Sequence, residues 1–98
     1  METVSDKRVL VVGLGASGIA ASRLLLAEGA KVTAVDAEEN ATLCATSQSL
    51  VDAGAVVRLA VNDESPGHFD LAVISPGVSP SQPLVQNLRA AGVPVIGE

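Results

Sequence analysis

Gly13-Leu14-Gly15-Ala16-Ser17-Gly18, set directly behind Arg8-Val9-Leu10-Val11-Val12, constrains this chain more than any other stretch. The run before the glycines is apolar after Arg8 and does not alternate with polar residues, so it reads as a strand covered on both faces. Three glycines in six positions then mark a turn with no room for side chains. Gly13 allows the tight turn, Gly15 lets a phosphate approach the backbone, and Gly18 lets the next helix lie close to the strand. Ser17 to Glu28 is rich in helix formers, with Ala21, Leu24, Leu25 and Glu28 at helical spacing and Gly29 as the stop. A doubly buried strand feeding such a turn and helix belongs in a parallel sheet with helices on its faces.

The remaining segments repeat that alternation. Lys31 to Val35 is a second strand. Ala41 to Ala53 is a weaker helix, with Leu43, Ser47, Leu50 and Val51 on one side and Gly54 at its end. Ala55 to Ala60 is a third strand, and Asn62 to His68 is a loop. Asp70 to Ser75 is a fourth strand closed by Pro76-Gly77. Pro83 to Ala91 is a third helix with proline at its permissive start and Gly92 at its end. Val93 to Ile96 is a fifth strand. Right-handed crossovers then give one α/β domain over residues 1–98, a Rossmann-like doubly wound five-stranded parallel sheet of order 3-2-1-4-5. Strands 1 and 4 adjoin at the switch point of such a sheet, where ligands bind beyond the carboxyl ends.

Composition narrows the functions open to this domain. A chain of 98 residues that is 48% hydrophobic and 17% charged is globular rather than disordered. Phe69 is the single aromatic residue, so the core must be aliphatic. Eleven acidic against six basic residues, a net charge of -5, argue against a duplex nucleic-acid or anionic-membrane binder. Cys44 alone permits neither an internal disulfide nor a cysteine metal site, and it fits a reducing, cytoplasmic setting. Val9 to Ala27 carries one charge, Arg23, and is long enough to suggest a membrane span, but its glycines favour strand, turn and helix. The acidic start Met1-Glu2-Thr3-Val4-Ser5-Asp6 does not resemble a secretory signal.

Chemistry-bearing residues concentrate at one end of the expected sheet. The first helix would aim its free amides and positive dipole end at an anion. Asp36 ends the second strand, 18 residues after Gly18, where it can accept from a sugar hydroxyl or a base N–H and repel a 2′-phosphate. Ser75-Pro76-Gly77 ends strand 4 and would face the glycine turn across the crevice, with Ser75 offering a hydroxyl and Gly77 a bare backbone. His68 reads as a surface residue, Cys44 as packing, and Arg58 and Arg89 as solvent-facing. No Ser-His-Asp set, carboxylate pair or G-x-x-x-x-G-K-[ST] loop occurs, so no catalytic residue and no metal ligand is assigned. The residues alone point to a phosphorylated ligand; three readings stand, namely the UDP-sugar-binding domain that a family resemblance implies, an NAD-binding domain of a dehydrogenase or redox sensor, and a regulatory or assembly module without nucleotide.

Four stretches together carry a resemblance: Lys7 to Gly18, Gly29-Ala30-Lys31-Val32-Thr33-Ala34-Val35-Asp36, Asp70-Leu71-Ala72-Val73-Ile74-Ser75-Pro76-Gly77-Val78, and Gly92-Val93-Pro94-Val95-Ile96-Gly97-Glu98. Over nearly the whole chain they resemble the N-terminal domain of the Mur ligases, nearest the branch that adds D-glutamate. The resemblance implies a three-domain enzyme of peptidoglycan synthesis whose first domain binds the UDP part of UDP-N-acetylmuramoyl-L-alanine. ATP and Mg²⁺ would serve the central domain, where the alanyl carboxylate becomes an acyl phosphate that the D-glutamate amine attacks. Those domains are absent from residues 1–98, so this chain alone should not turn over. Carried over by position, Gly15, Ala16, Ser17 and Gly18 would hold the diphosphate, chiefly through the Ala16 and Ser17 amides. Asp36 would accept from the uracil, and Ser75, Pro76 and Gly77 would line the uracil and ribose pocket. Relatives can place an arginine two residues after this aspartate. This chain has Ala37 and Glu38, so that cation is missing from the base pocket.

Overall fold

A computed structural model describes residues 6–38, 40–60, 69–75, 78 and 83–97. The elements run β1 (Arg8–Val12), α1 (Ala16–Ala27), β2 (Lys31–Val35), α2 (Ala41–Asp52), β3 (Val56–Arg58), β4 (Leu71–Ile74), α3 (Pro83–Ala90) and β5 (Val95–Gly97). All pairings are parallel, and the five strands lie in the order β3-β2-β1-β4-β5. The expected α/β sheet is therefore observed, with β1 between β2 and β4. Val12 sits opposite Val35 on one side and Ile74 on the other, so three strands end level with one another.

The run in β1 is apolar because helices cover both of its faces. Val9 and Val11 join Val32, Ala34 and Leu50 in a core beneath α1 and α2. Leu10 and Val12 join Ala72, Ile74, Leu84, Val85 and Leu88 in a second core beneath α3. Each fully buried leucine or valine contributes about 1.5–3 kcal/mol. Gly29, Gly54 and Gly92, all with positive φ, end the three helices as their positions predict.

Five details differ from the sequence reading. The sheet-facing line of α1 is Gly18, Ser22, Leu25 and Leu26, while Leu24 is 64% exposed. Leu24 lies six residues past Gly18, about 240° around the helix, so it points away from the sheet. On α2 the packed line is Leu43, Ser47 and Leu50, and Val51, one step further round, is 46% exposed. Cys44 is exposed on the same helix and does not pack into the core. The fifth strand starts at Val95 rather than Val93, because the Val93 amide closes α3 by donating to the Leu88 carbonyl at 3.1 Å. The third strand is likewise shorter: the Ala55 amide serves the end of α2, donating to Leu50, and Ala60 turns away with φ of 58°.

Val9 to Ala27 resolves into β1, the glycine turn and α1. Among the described residues no helix is long and apolar enough to cross a membrane.

Candidate functional site

The site is built where β1 stops. The Gly13 amide makes the last ladder bond, donating to Val35 at 2.8 Å, and the chain then turns with φ of +93° at Gly13. A side chain at Gly13 would also strike neighbours, since its Cβ would lie 2.7 Å from Val78 Cγ2 and 3.0 Å from Ser75 Cβ. The Gly13 carbonyl accepts from the buried Ser75 hydroxyl at 2.8 Å. The turns after β1 and β4 are thus in direct contact, as expected for strands that adjoin at the switch point.

Leu14 turns its side chain into the core beneath α1 and α2, leaving its backbone at the carboxyl edge of the sheet. Its amide donates to Asp36 Oδ2 at 2.7 Å, and Asp36 Oδ1 accepts from the Glu38 amide at 2.8 Å. Asp36 is half-buried at the end of β2. Its carboxylate therefore ties the glycine turn to the neighbouring strand and keeps lone pairs on both oxygens for a further donor. Sequence reasoning set Asp36 at the end of the second strand, where it lies, but missed this bond. The available signal was the backbone N–H between two glycines, a donor with no strand to pair with.

Gly15 is the N-cap of α1, in extended conformation, and no side chain caps the helix. The first amides of a helix have no partner within it. A Cβ on Gly15 would meet nothing within 4 Å, so the space before the turn is open. Ala16 and Ser17 are exposed at the helix start. Gly18 is buried behind them, and a Cβ there would lie 1.8 Å from the Gly13 carbonyl oxygen. The helix can start this close to β1 only because residue 18 has no side chain. Ser22, fully buried one turn later, satisfies its hydroxyl on the Gly18 carbonyl at 2.8 Å.

A cleft of about 510 Å³ opens beside the turn, lined by Leu14, Gly15, Asp36, Glu38, Asn40 and the first residues of α2. Asn40 caps α2 by accepting from the Leu43 amide at 2.9 Å, so that helix start is already satisfied. Glu38 was named from sequence only as standing where relatives can carry arginine, and Leu43 only as a packing residue; Asn40 was not singled out, and its signal is the polar stretch between β2 and α2. Among the described residues, the lining contains carboxylates and no lysine or arginine. An anion bound here by this chain would be held by amides and helix dipole, with a neutral group beside Asp36 and Glu38.

The structure thus brings Gly15, Ala16, Ser17, Gly18, Asp36 and Ser75 to one edge of the sheet. Gly15 and Asp36 share the cleft, whereas Gly18 and Ser75 lie beneath the turn and shape it. Pro76, Gly77 and His68 lie outside the described residues. Arg58 and Arg89 are exposed. Among the described residues no group of three or more His, Cys, Asp or Glu side chains is placed to hold a metal ion.

A family model described as "Mur ligase MurD-like, N-terminal domain" matches residues 7–97. A UDP-N-acetylmuramoylalanine--D-glutamate ligase of Koribacter versatilis is 48% identical over 96 residues, covering 97% of this chain and 21% of that protein. The ligase of the same name from Frankia casuarinae is 47% identical over 90 residues, covering 92% of this chain and 19% of the relative. The one from Myxococcus xanthus is 43% identical over 99 residues, with 97% and 21% covered. The chain therefore spans about a fifth of the length of the curated relatives it matches. Among solved structures, SirC, a precorrin-2 dehydrogenase, aligns with a TM-score of 0.57 at 25% identity, covering 76% of this chain and 36% of that one.

Proposed function

The chain belongs to the MurD-like N-terminal domains of the Mur ligases, and on that premise we propose that it binds the UDP part of UDP-N-acetylmuramoyl-L-alanine for a D-glutamate-adding ligase of peptidoglycan synthesis. The observation that carries the reading is the uncapped start of α1 behind an open Gly15, next to a cleft bordered by Asp36. Diphosphate oxygens suit the Ala16 and Ser17 amides, because helix-start N–H groups are unpaired donors at the positive dipole end. Uracil suits the Asp36 end, because it is neutral and offers an N–H to a carboxylate. Gly18 and Ser75 support the turn from below. Pro76 and Gly77 would complete the ribose and uracil side.

This chain supplies no reacting group. ATP-dependent activation of the alanyl carboxylate, Mg²⁺ and the D-glutamate site belong to further domains of a longer cytoplasmic enzyme, and these 98 residues alone should show no turnover. An NAD site is disfavoured: the 25% likeness to a dehydrogenase reports a shared fold, whereas relatives at 43–48% identity carry the ligase name.

Amide-shift titration tests the assignment. UDP and UDP-N-acetylmuramoyl-L-alanine should move the amides of Ala16, Ser17, Gly18 and Asp36, and NAD should leave them in place. Selective shifts with NAD would overturn it.

A further inference from the structure

We infer that Asp36 and Ser75 act as one positioning device, gripping the two ends of a single peptide unit and so fixing the amides at the start of α1. The unit is the peptide joining Gly13 to Leu14. Its carbonyl accepts from Ser75 Oγ at 2.8 Å, and its N–H donates to Asp36 Oδ2 at 2.7 Å. In a trans peptide these two groups point in opposite directions, and no cis bond occurs among the described residues. Ser75 follows β4 and Asp36 follows β2, the two neighbours of β1 in the sheet. One peptide is therefore held from both flanking strands. The inference rests on the diphosphate reading of the turn, which it deepens.

A grip is needed at this place. The ladder fixes the backbone up to the Gly13 amide and the Ser75 amide, which donate to Val35 and Val12. The Gly13–Leu14 peptide is the first beyond it, and its leading residue has no Cβ to restrict rotation. Gly18 packs on the same carbonyl, since a Cβ there would lie 1.8 Å from Gly13 O and 2.8 Å from Ser75 Oγ. Rotation of the peptide would remove the surface on which the first turn of α1 rests. The Ala16 and Ser17 amides would then lose their common direction. Ser75 is a positioning residue in this scheme: it is buried, its proton is spent on Gly13, and it acts on ligand through the turn. Two groups holding one rigid unit should not act additively.

The test uses Ser75→Ala, Asp36→Ala and the double variant of this chain, with two readouts. Without ligand, Ser75→Ala should lower exchange protection of the Leu14 amide by about tenfold, although Ser75 makes no bond to it, while Val11 is unchanged. With UDP, Ser75→Ala should weaken binding by about five- to tenfold alone but by less than about twofold in the Asp36→Ala background. Unchanged Leu14 protection, or the same fold-loss in both backgrounds, would overturn the inference. Deprotection of Leu14 in a chain that does not bind UDP at all would sustain the grip and reject the diphosphate reading instead. Should Ser75→Ala fail to fold, Asp36→Ala gives the reciprocal measurement. The Ser75 χ1 rotamer, read from three-bond couplings, should go from fixed to averaged, and a rotamer that stays fixed contradicts the inference.

Discussion

The Cα of Gly18 rests against the carbonyl oxygen of Gly13, so closely that a Cβ on residue 18 would lie 1.8 Å from that oxygen. The obstructing atom is backbone, held in turn by Ser75, and it cannot swing aside as a side-chain end could. Gly18→Ala should therefore destabilise the fold by about 3 kcal/mol, lowering Tm by more than about 10 °C in a domain of this size. Thermal unfolding followed by circular dichroism measures this. A Tm within about 2 °C of the parent would show that α1 does not sit as close to β1 as described.

Gly15 gives the opposite pattern. Its backbone is in a conformation open to alanine, and a Cβ there meets nothing within 4 Å. Alanine caps a helix less well than glycine but restricts the unfolded chain, so Gly15→Ala should change stability by less than about 1 kcal/mol. The added methyl would occupy the space that a diphosphate needs. UDP affinity should fall by at least about tenfold, about 1.4 kcal/mol. Calorimetric titration beside a melting curve separates the two effects, and undiminished UDP binding would place the phosphates elsewhere.

Asp36 has two kinds of work, and Asp36→Ala should reveal both. The variant removes the acceptor of the Leu14 and Glu38 amides, which costs stability. It also removes the proposed acceptor for the base, so uridine-ligand affinity should weaken by about 1.5–3 kcal/mol. A stability loss with unchanged affinity for uridine ligands would leave Asp36 a purely structural residue.

Asn40 serves as a control beside the same cleft. Its side chain accepts from Leu43 and closes the start of α2. Asn40→Ala should cost about 1 kcal/mol, a fall in Tm of about 4–8 °C, and leave the α1 amides able to bind. Loss of UDP binding equal to that of Gly15→Ala would move the proposed anion seat from α1 to α2.

Much of this arrangement was legible because local rules and global fold agree. The apolar run in β1 demanded burial on both faces, and Gly13, Gly15 and Gly18 each fit one geometric need of the turn that follows. The alternation of strands and helices then fixed the strand order. Legibility failed where small residues replace large ones at contacts. In α1 the sheet-facing line runs through Gly18 and Ser22 rather than through the Ala21, Leu24, Leu25 and Glu28 spacing read from the sequence, and Leu24 is exposed. It failed again where side chains bond to backbone across the sheet. The Ser75 and Asp36 bonds to the glycine turn join residues 62 and 22 positions apart, and no local pattern announces them.

The central claim is that amides at the start of α1 hold a diphosphate while the base lies toward Asp36. The most direct measurement is a crystal structure of this chain with UDP. The account predicts phosphate oxygens at about 2.9 Å from the Ala16 and Ser17 nitrogens, with uracil in the cleft beside Asp36. Phosphates seated instead in the groove at the other end of the sheet, beside Arg8 and Lys31, would contradict it.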